Sequence, residues 1–356
     1  MARTRIAMTI GDPSGVGPEI AMKLLARAEN LAKADVYLLA SQKEVDAFSE
    51  ELGLSVPTEL GLSVPTADAS APASATSAPA SASPMPAATM HTPGRVTLVG
   101  SDRQDIAVPR GIPSIEGGQR VMADLLKALQ MYKDGQVDSI LFMSLNKSAL
   151  HWAGMHEEDE LRWFAMELGY DGFTSELNFI PGLATSRVTS HCGIKDVAER
   201  INARAVRDAI TLLNSVLAGS GVEHPRIAVC ALNPHGGENG QFGREEIDHI
   251  CPGIELARFD GVTVDGPFPP DTTFLRAMKG EYDGVVTMYH DQGQIALKTI
   301  GFDEGVTVQG GLPVPICTPA HGTAYEIVGQ NKASIRPAQR AFDIATSLGA
   351  AQRAAM

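Results

Sequence analysis

The chain is short of the features that mark secreted, membrane-bound or nucleic-acid-binding proteins. It has four cysteines in 356 residues. Cys192, Cys230, Cys251 and Cys317 show no C-x-x-C spacing, so neither a zinc knuckle nor a redox pair is indicated, and scattered cysteines read as reduced, cytosolic thiols. No apolar run has the length of a membrane span, and Met1-Ala2-Arg3-Thr4-Arg5 leads straight into strand-like Ile6-Ala7-Met8-Thr9-Ile10 without a signal sequence. A cytoplasmic protein with no membrane partner is expected. Positive charge is scarce too: 29 Lys and Arg face 42 Asp and Glu, and a net charge of -13 argues against a nucleic-acid groove. The glycine fingerprints G-x-G-x-x-G and Walker A are missing. Gly11-Asp12-Pro13-Ser14-Gly15-Val16-Gly17-Pro18-Glu19 does follow a strand and open a helix, where backbone approach and a helix N-terminus favour an anion. Taken alone it reads as a tight strand-to-helix turn.

What is present is ordinary globular material, 44% hydrophobic and 20% charged. The length suits two domains of roughly 150 residues each, or one large α/β unit. Apolar runs of strand length fall at 6–10, 36–39, 96–99, 139–144, 187–190, 226–231 and 284–288, with amphipathic helices expected at 116–133, 158–168, 194–218 and 245–250. Such alternation predicts parallel sheet flanked by helices. One stretch stands apart. Residues 51–58 (ELGLSVPT) recur at 59–66, and 67–89 is almost wholly Ala, Ser, Pro and Thr. That composition cannot bury enough apolar surface to offset its ordering entropy, so 50–93 is expected to be a disordered surface insertion.

Three histidines carry the strongest chemical signal. His191 lies in Thr189-Ser190-His191, His235 in Leu232-Asn233-Pro234-His235-Gly236-Gly237-Glu238, and His290 in Met288-Tyr289-His290-Asp291-Gln292-Gly293. Each closes a strand-like run, at the edge where open α/β sheets bind ligands. Three neutral imidazoles there make a facial cap for a divalent metal and leave positions open to substrate. Their spacing alone carries no ligand rule, and unrelated strand-end histidines fit it equally well. Lys298 follows eight residues after His290. Beside a metal it would steady an alkoxide or carry a proton; elsewhere it is a solvated surface residue. Lys298 and Asp291 are the candidate catalytic groups. His321-Gly322-Thr323-Ala324, then Gly329 and Asn331, resemble the adenosine-binding loop of isocitrate and isopropylmalate dehydrogenases, the alternative being a helix-capping turn with Thr323 near the N-cap.

In order, Gly11-Asp12-Pro13, Asn146-Lys147, Thr189-Ser190-His191, Asn233-Pro234-His235, Arg244-Glu245-Glu246, Asp265-Gly266-Pro267, Tyr289-His290-Asp291-Gln292-Gly293 and His321-Gly322-Thr323-Ala324 closely resemble the 4-hydroxythreonine-4-phosphate dehydrogenase family of vitamin B6 synthesis. The resemblance covers essentially everything outside the insertion. It implies an isocitrate/isopropylmalate dehydrogenase-like α/β fold of two α/β/α domains with a cleft between them. Residues 1–49, 94–150 and 318–356 would form the first domain, and 151–317 the second, which carries the metal histidines. It implies a homodimer with the active site at the interface and both subunits supplying ligands. One divalent ion (Zn, Mn, Co, Ni or Mg) would sit on His191, His235 and His290, and NAD or NADP on His321, Gly322, Thr323, Ala324 and Asn331.

The chain also departs from that pattern. After Ala153-Gly154 the family carries Gly-His-Thr-Glu, whose His and Thr contact the phosphorylated substrate; an ungapped count places Asp159-Glu160-Leu161-Arg162 there. The family's substrate Asn, nine residues after the lysine, is Thr307, and its Arg falls at Ile316. A phosphate dianion needs charge-assisted donors, which Glu160, Leu161 and Ile316 do not supply, at about 1.5–3 kcal/mol per lost bond. A one-residue shift would bring Arg162 into the pocket, where Arg162 and Trp163 suit an aromatic carboxylate through an ion pair and a flat apolar wall. The expectation is therefore NAD-dependent, metal-dependent oxidation of a β-hydroxy acid with decarboxylation. The expected substrate is a non-phosphorylated carboxylate of the terephthalate cis-dihydrodiol type. The alternatives are 4-phosphohydroxy-L-threonine, a four-carbon sugar-acid phosphate, or a metal-binding sensor or scaffold without catalysis.

Overall fold

Apolar runs without polar alternation are stable as strands only where both faces are covered, and the chain uses them in that way. A computed structural model describes residues 3–61, 92–301 and 303–355. The first six strands are β1 (Thr4–Thr9), β2 (Ala34–Leu39), β3 (Thr58–Leu60), β4 (Val96–Val99), β5 (Ser139–Phe142) and β6 (Ser175–Ile180). Six more follow: β7 (Leu183–Arg187), β8 (Ile227–Cys230), β9 (Val264–Phe268), β10 (Gly284–Thr287), β11 (Val306–Gly310) and β12 (Ile316–Pro319). All join one sheet in the order β3-β4-β2-β1-β5-β12-β11-β6-β7-β10-β8-β9. Alternate residues of the same strands feed two cores: Ile6, Met8, Leu38 and Leu141 point into one, Ala7, Leu39, Ile140 and Phe142 into the other. The fold is mixed α/β, with helices on both faces of a large sheet.

The seam in the middle of that sheet decides where the loops emerge. β12 pairs parallel with β5 but antiparallel with β11, β11 antiparallel with β6, and β6 antiparallel with β7. β10 and β8 then run parallel with β7. Strands β7, β8 and β10 therefore oppose β1, β5 and β12, and their C-terminal loops leave opposite edges of the hydrogen-bonded ladder. The three histidines follow the first set, and the His321 loop follows β12.

Several expected boundaries are corrected. The stretch 50–93 is not all outside the fold. The Gln42–Leu52 helix, with a Ser41/Glu44 capping box and Gly53 as its left-handed C-cap, runs into the first ELGLSVPT copy, and β3 then pairs parallel with β4. Leu52, Leu54 and Val56 of that copy pack on the core, which explains its order. The rest of the expected insertion, 62–91, lies outside the described residues. The expected 194–218 helix is broken, because Asn202 caps a new helix, Ala203–Gly219, accepting from Ala205 N at 2.9 Å. The expected 187–190 strand is the tail of β7, where Val188 and Thr189 still donate to Thr287 O and Met288 O at 2.9 and 3.1 Å. At 245–250 a single π turn, Glu246–Ile250, leads into the Cys251–Phe259 helix.

Candidate active site

Each histidine is placed by a lock that the sequence motif encodes. Thr189 holds its strand end on Met288 O through its hydroxyl at 2.8 Å, which sets His191. Gln292 accepts from Met288 N at 2.8 Å and donates to Ala231 O at 2.9 Å, tying the ends of β10 and β8 beside His290. Buried Glu246 accepts from Leu232 N and Asn233 N at 2.9 and 2.8 Å and so roots the loop that carries His235. That loop is unusual: His235, Gly236, Gly237, Glu238 and Asn239 all have positive φ. Left-handed backbone is unfavourable for residues with a Cβ, so the three non-glycine residues of this turn are strained. His191 has positive φ as well.

The Nδ1 of every one of these histidines faces a carboxylate: Asp159 at 2.9 Å from His191, Glu238 at 2.8 Å from His235, and Asp291 at 2.7 Å from His290. A carboxylate only accepts, so in the neutral form of each ring Nδ1 carries the hydrogen and Nε2 keeps its lone pair, the arrangement metal-binding histidines show. The donor set therefore fits a divalent metal in its chemistry. The three histidines are not gathered together in this chain. His191 and His290 lie with ring centroids 6.0 Å apart and line a common cavity of about 450 Å³, whereas His235 is elsewhere, its side chain 70% exposed. Among the described residues no group of three or more His, Cys, Asp or Glu is arranged to hold a metal ion. Asp291, expected as a catalytic group, is engaged with His290; Lys298 is exposed on the His290–Gly301 helix, two turns further on.

A second cavity of about 320 Å³ adjoins His191 and is lined by Asp159, Arg162, Arg187 and Arg200, among others. Arg187 is buried and donates to Ser190 Oγ at 3.0 Å and Asn178 Oδ1 at 3.1 Å, and it pairs with Glu176. Asn178 in turn donates to Thr307 Oγ1 at 3.1 Å and accepts from Gln294 at 2.6 Å. Thr307 is thus joined to the site through this network. The other expected substrate positions divide. Arg162 reaches the cavity and donates to Thr174 Oγ1 at 3.1 Å. Glu160 lies 3.8 Å from the ammonium of Lys147, so its charge is offset. Leu161 is 3% exposed, and Ile316, at 0%, is enclosed in the core on β12, so the ungapped count does not place a ligand contact at Ile316. Trp163, at 1%, packs against Phe164 in the same core and offers no wall to an aromatic substrate.

The expected nucleotide loop closes on the Gly11–Glu19 turn. Val16 N donates to Thr323 O at 2.9 Å, the Tyr325 hydroxyl donates to buried Asp12 at 2.6 Å, and His321 Nδ1 lies 2.8 Å from Ser144 Oγ and 3.0 Å from Gly322 O. Gly15 is pressed so close to Thr323 that a Cβ would meet its carbonyl oxygen at 2.7 Å. Burial, with Asp12 beside it, pushes the Tyr325 phenol well above its ordinary value. Burial lowers His321, against the opposing pull of the Gly322 carbonyl. His321 Nε2 and Ser14 Oγ are buried without a partner, as polar atoms awaiting a ligand are. His321, Gly322 and Ala324 line a cavity of about 470 Å³ with Val16, Ile20 and Arg336; Asn331 lies beyond it, its carbonyl accepting from Lys23 at 3.2 Å.

Sequence reasoning missed Asp159, Glu238, Arg187 and Asn178 as site residues. Glu238 was legible as the end of the His235 motif, but Asp159 meets His191 across 32 residues, and no local pattern announces that.

The family model described as pyridoxal phosphate biosynthetic protein PdxA matches residues 21–345. A Pseudomonas aeruginosa protein provisionally named 4-hydroxythreonine-4-phosphate dehydrogenase 2 is 43% identical, over 97% of this chain and 97% of its own. The D-threonate 4-phosphate dehydrogenase of Pectobacterium atrosepticum is 35% identical over 95% of this chain and 97% of its own. The solved 4-hydroxythreonine-4-phosphate dehydrogenase of Klebsiella pneumoniae superposes with a TM-score of 0.76 at 29% identity, covering 98% of both chains. A terephthalate 1,2-cis-dihydrodiol dehydrogenase of Burkholderia xenovorans is less similar, at 26% identity and TM-score 0.67 over 97% of this chain and 98% of its own. These findings overturn the expected non-phosphorylated dihydrodiol substrate and its decarboxylation. Part of the physical premise fails with it: Ile316 is enclosed in the core, and Glu160 lies 3.8 Å from the Lys147 ammonium, while Leu161 lines the cavity beside His191 together with Arg162.

Proposed function

The chain belongs to the PdxA family of pyridoxal phosphate biosynthetic proteins, and from that premise we propose that it is a dehydrogenase of a phosphorylated four-carbon hydroxy acid. The first candidate is 4-hydroxythreonine 4-phosphate, the second D-threonate 4-phosphate. The observation that carries the reading is the 43% identity spread over 97% of both chains. The cavity beside His191 mixes Glu158, Asp159, Asp171 and Glu176 with Arg162, Arg187 and Arg200, and of these the guanidinium forks of Arg162 and Arg200 are the groups that match phosphate or carboxylate oxygens. NAD or NADP would lie on His321, Gly322, Thr323, Ala324 and Asn331, where the unpartnered His321 Nε2 is ready to accept.

His191 and His290 would hold a divalent metal through Nε2, with His235 supplied across a homodimer interface; the exposed Phe242 and Ile247 near that loop support its burial by a second copy. When bound, such an ion lowers the pKa of a substrate hydroxyl. Lys298 would take the hydroxyl proton, and Asp291 would hold His290 in its metal-binding tautomer. We read 1–49, 94–150 and 318–356 as one α/β/α unit and 151–317 as the other, the cleft lying between them. The scattered free thiols suit a cytoplasmic enzyme.

The test is cofactor reduction with 4-phosphohydroxy-L-threonine and D-threonate 4-phosphate, each with NAD and NADP and with added Zn, Mn, Co, Ni or Mg. Turnover of one phosphorylated acid at least about 100-fold above its dephosphorylated form is expected, since two charge-assisted bonds are worth about 3 kcal/mol or more. Absence of turnover with both acids under all these conditions would overturn the reading.

A further inference from the structure

Asp159 does two jobs with its two oxygens. As the N-cap of the Glu160–Leu168 helix, its Oδ1 accepts from Arg162 N at 2.8 Å. Its Oδ2 accepts from His191 Nδ1 at 2.9 Å. The side chain is enclosed, with the residue only 7% exposed, so neither bond competes freely with water. The neighbouring Glu158 stands 3.6 Å from the same ring nitrogen, beyond hydrogen-bond length, which leaves Asp159 as the partner.

We propose that Asp159 is the positioning residue of the active site, fixing the Nδ1–H tautomer of His191 while joining that ring to the helix that carries Glu160 and Arg162. The proposal rests on the metal role given to His191 under Proposed function. Its chemistry is simple. An imidazole with both nitrogens free divides between two tautomers, and only one presents Nε2 as a donor to a metal. The carboxylate selects that one. It also acts on a ring whose backbone is held at positive φ, an unfavourable conformation that the surrounding contacts must maintain. Because one residue makes both bonds, a shift of the helix N-terminus would turn the ring, and ring placement and Arg162 placement are coupled.

Two substitutions separate the two jobs. Asp159→Ser keeps an N-cap acceptor but is too short to reach His191. Asp159→Asn keeps the reach but turns its amide toward Nδ1 when its oxygen caps the helix, which imposes the Nε2–H tautomer. Two readouts apply. Nitrogen-15 shifts of the His191 ring in the metal-free full-length protein report the tautomer, and Zn²⁺ affinity by chelator competition reports the consequence. Wild type should show Nδ1–H, Asp159→Ser a mixture with roughly 10- to 100-fold weaker Zn²⁺ binding, and Asp159→Asn the opposite tautomer with weaker binding still. Melting temperature should fall only slightly in Asp159→Ser, because the cap survives and only the bond to His191 is lost. An unchanged His191 tautomer in both variants overturns the proposal, and so does wild-type Zn²⁺ affinity in both. If wild type binds no Zn²⁺, the metal reading under Proposed function fails, while the tautomer measurement, made without metal, still decides the role of Asp159.

Discussion

The loops after β1, β5 and β12 close on one another, whereas the loops after β7, β8 and β10 stop at the surface. In the first set the Tyr325–Asp12 and Val16–Thr323 hydrogen bonds join segments more than 300 residues apart, and Asp12, Ser14 and Thr323 are buried. In the second set each imidazole has one hydrogen-bonded carboxylate partner, two of the three sit on left-handed backbone, and among the described residues the His235 side chain is left 70% exposed. The first edge is complete within a protomer and needs only its ligand. The second is strained and open, and under the proposed reading a metal, a substrate and a second copy would complete it. Strain of this kind persists only where the surrounding structure over-determines it, and it clusters at active sites.

The largest effect should come from the open edge and leave the fold untouched. His290→Ala removes an exposed imidazole, so its Tm should stay near wild type, within about 0.5 kcal/mol of stability. Its kcat/KM with the phosphorylated substrate should fall at least about 10²–10³-fold, the worth of several kcal/mol of charge stabilisation. The closed edge should behave in the reverse manner. Asp12→Ala removes the acceptor of the half-buried Tyr325 hydroxyl and of the buried Ser14 N–H and should cost about 1–3 kcal/mol, a Tm drop of several degrees in calorimetry. Should His290→Ala unfold while Asp12→Ala melts as wild type does, the contrast between the two edges is mistaken.

A smaller effect is expected from pH, and its sign follows from burial. His321 titrates below its ordinary value of 6.5 in the folded protein, chiefly because burial disfavours its charged form. Below about pH 6.5 the unfolded chain therefore binds more protons than the folded one, and folding loses stability as pH falls from there through the folded value. The contribution is fully present above pH 6.5. Wild type should lose more Tm than His321→Asn between about pH 7.5 and 5.5, and parallel curves for the two would show that the ring is not buried neutral.

How much of this was legible in the sequence depended on whether the signal was local. β4, β5, β8 and β10 announced themselves as apolar runs, since their residues are buried on both faces. β6 (SELNFI), β9 (VDGPF) and β11 (VTVQG) did not, because polar residues or a glycine and proline interrupt them; their pairing is a tertiary outcome. The break at Asn202 had a readable cap, overridden by the apolar periodicity on either side. At the site, the histidines and the His321 loop were visible as motifs, but the ungapped count misjudged the substrate. It treated aligned positions as pocket walls, and only packing shows that Ile316 faces the core and that Lys147 sits by Glu160.

The smallest effect concerns the long connection in the closed half. β3 and β4 are parallel, with Thr58 opposite Val96, so the chain must return along the whole strand before pairing again. A parallel pair needs a crossover of about a dozen residues or more. The connection runs from 61 to 95, and excising 67–84 leaves 61–66 and 85–95, seventeen residues, above that minimum. Tm and NAD affinity should then match wild type within about 0.5 kcal/mol. Excising 62–91 leaves only Gly61 and residues 92–95, below the minimum, and should release β3 from β4 while sparing β1, β5 and β12. Its cost should be small, because β3 has three residues at the sheet edge with Leu60 already exposed, and it should appear as faster amide exchange in β4 rather than as weaker NAD binding. A clear loss of NAD affinity on the shorter excision would mean that the closed edge is not complete by itself and draws on the Ala/Ser/Pro tract.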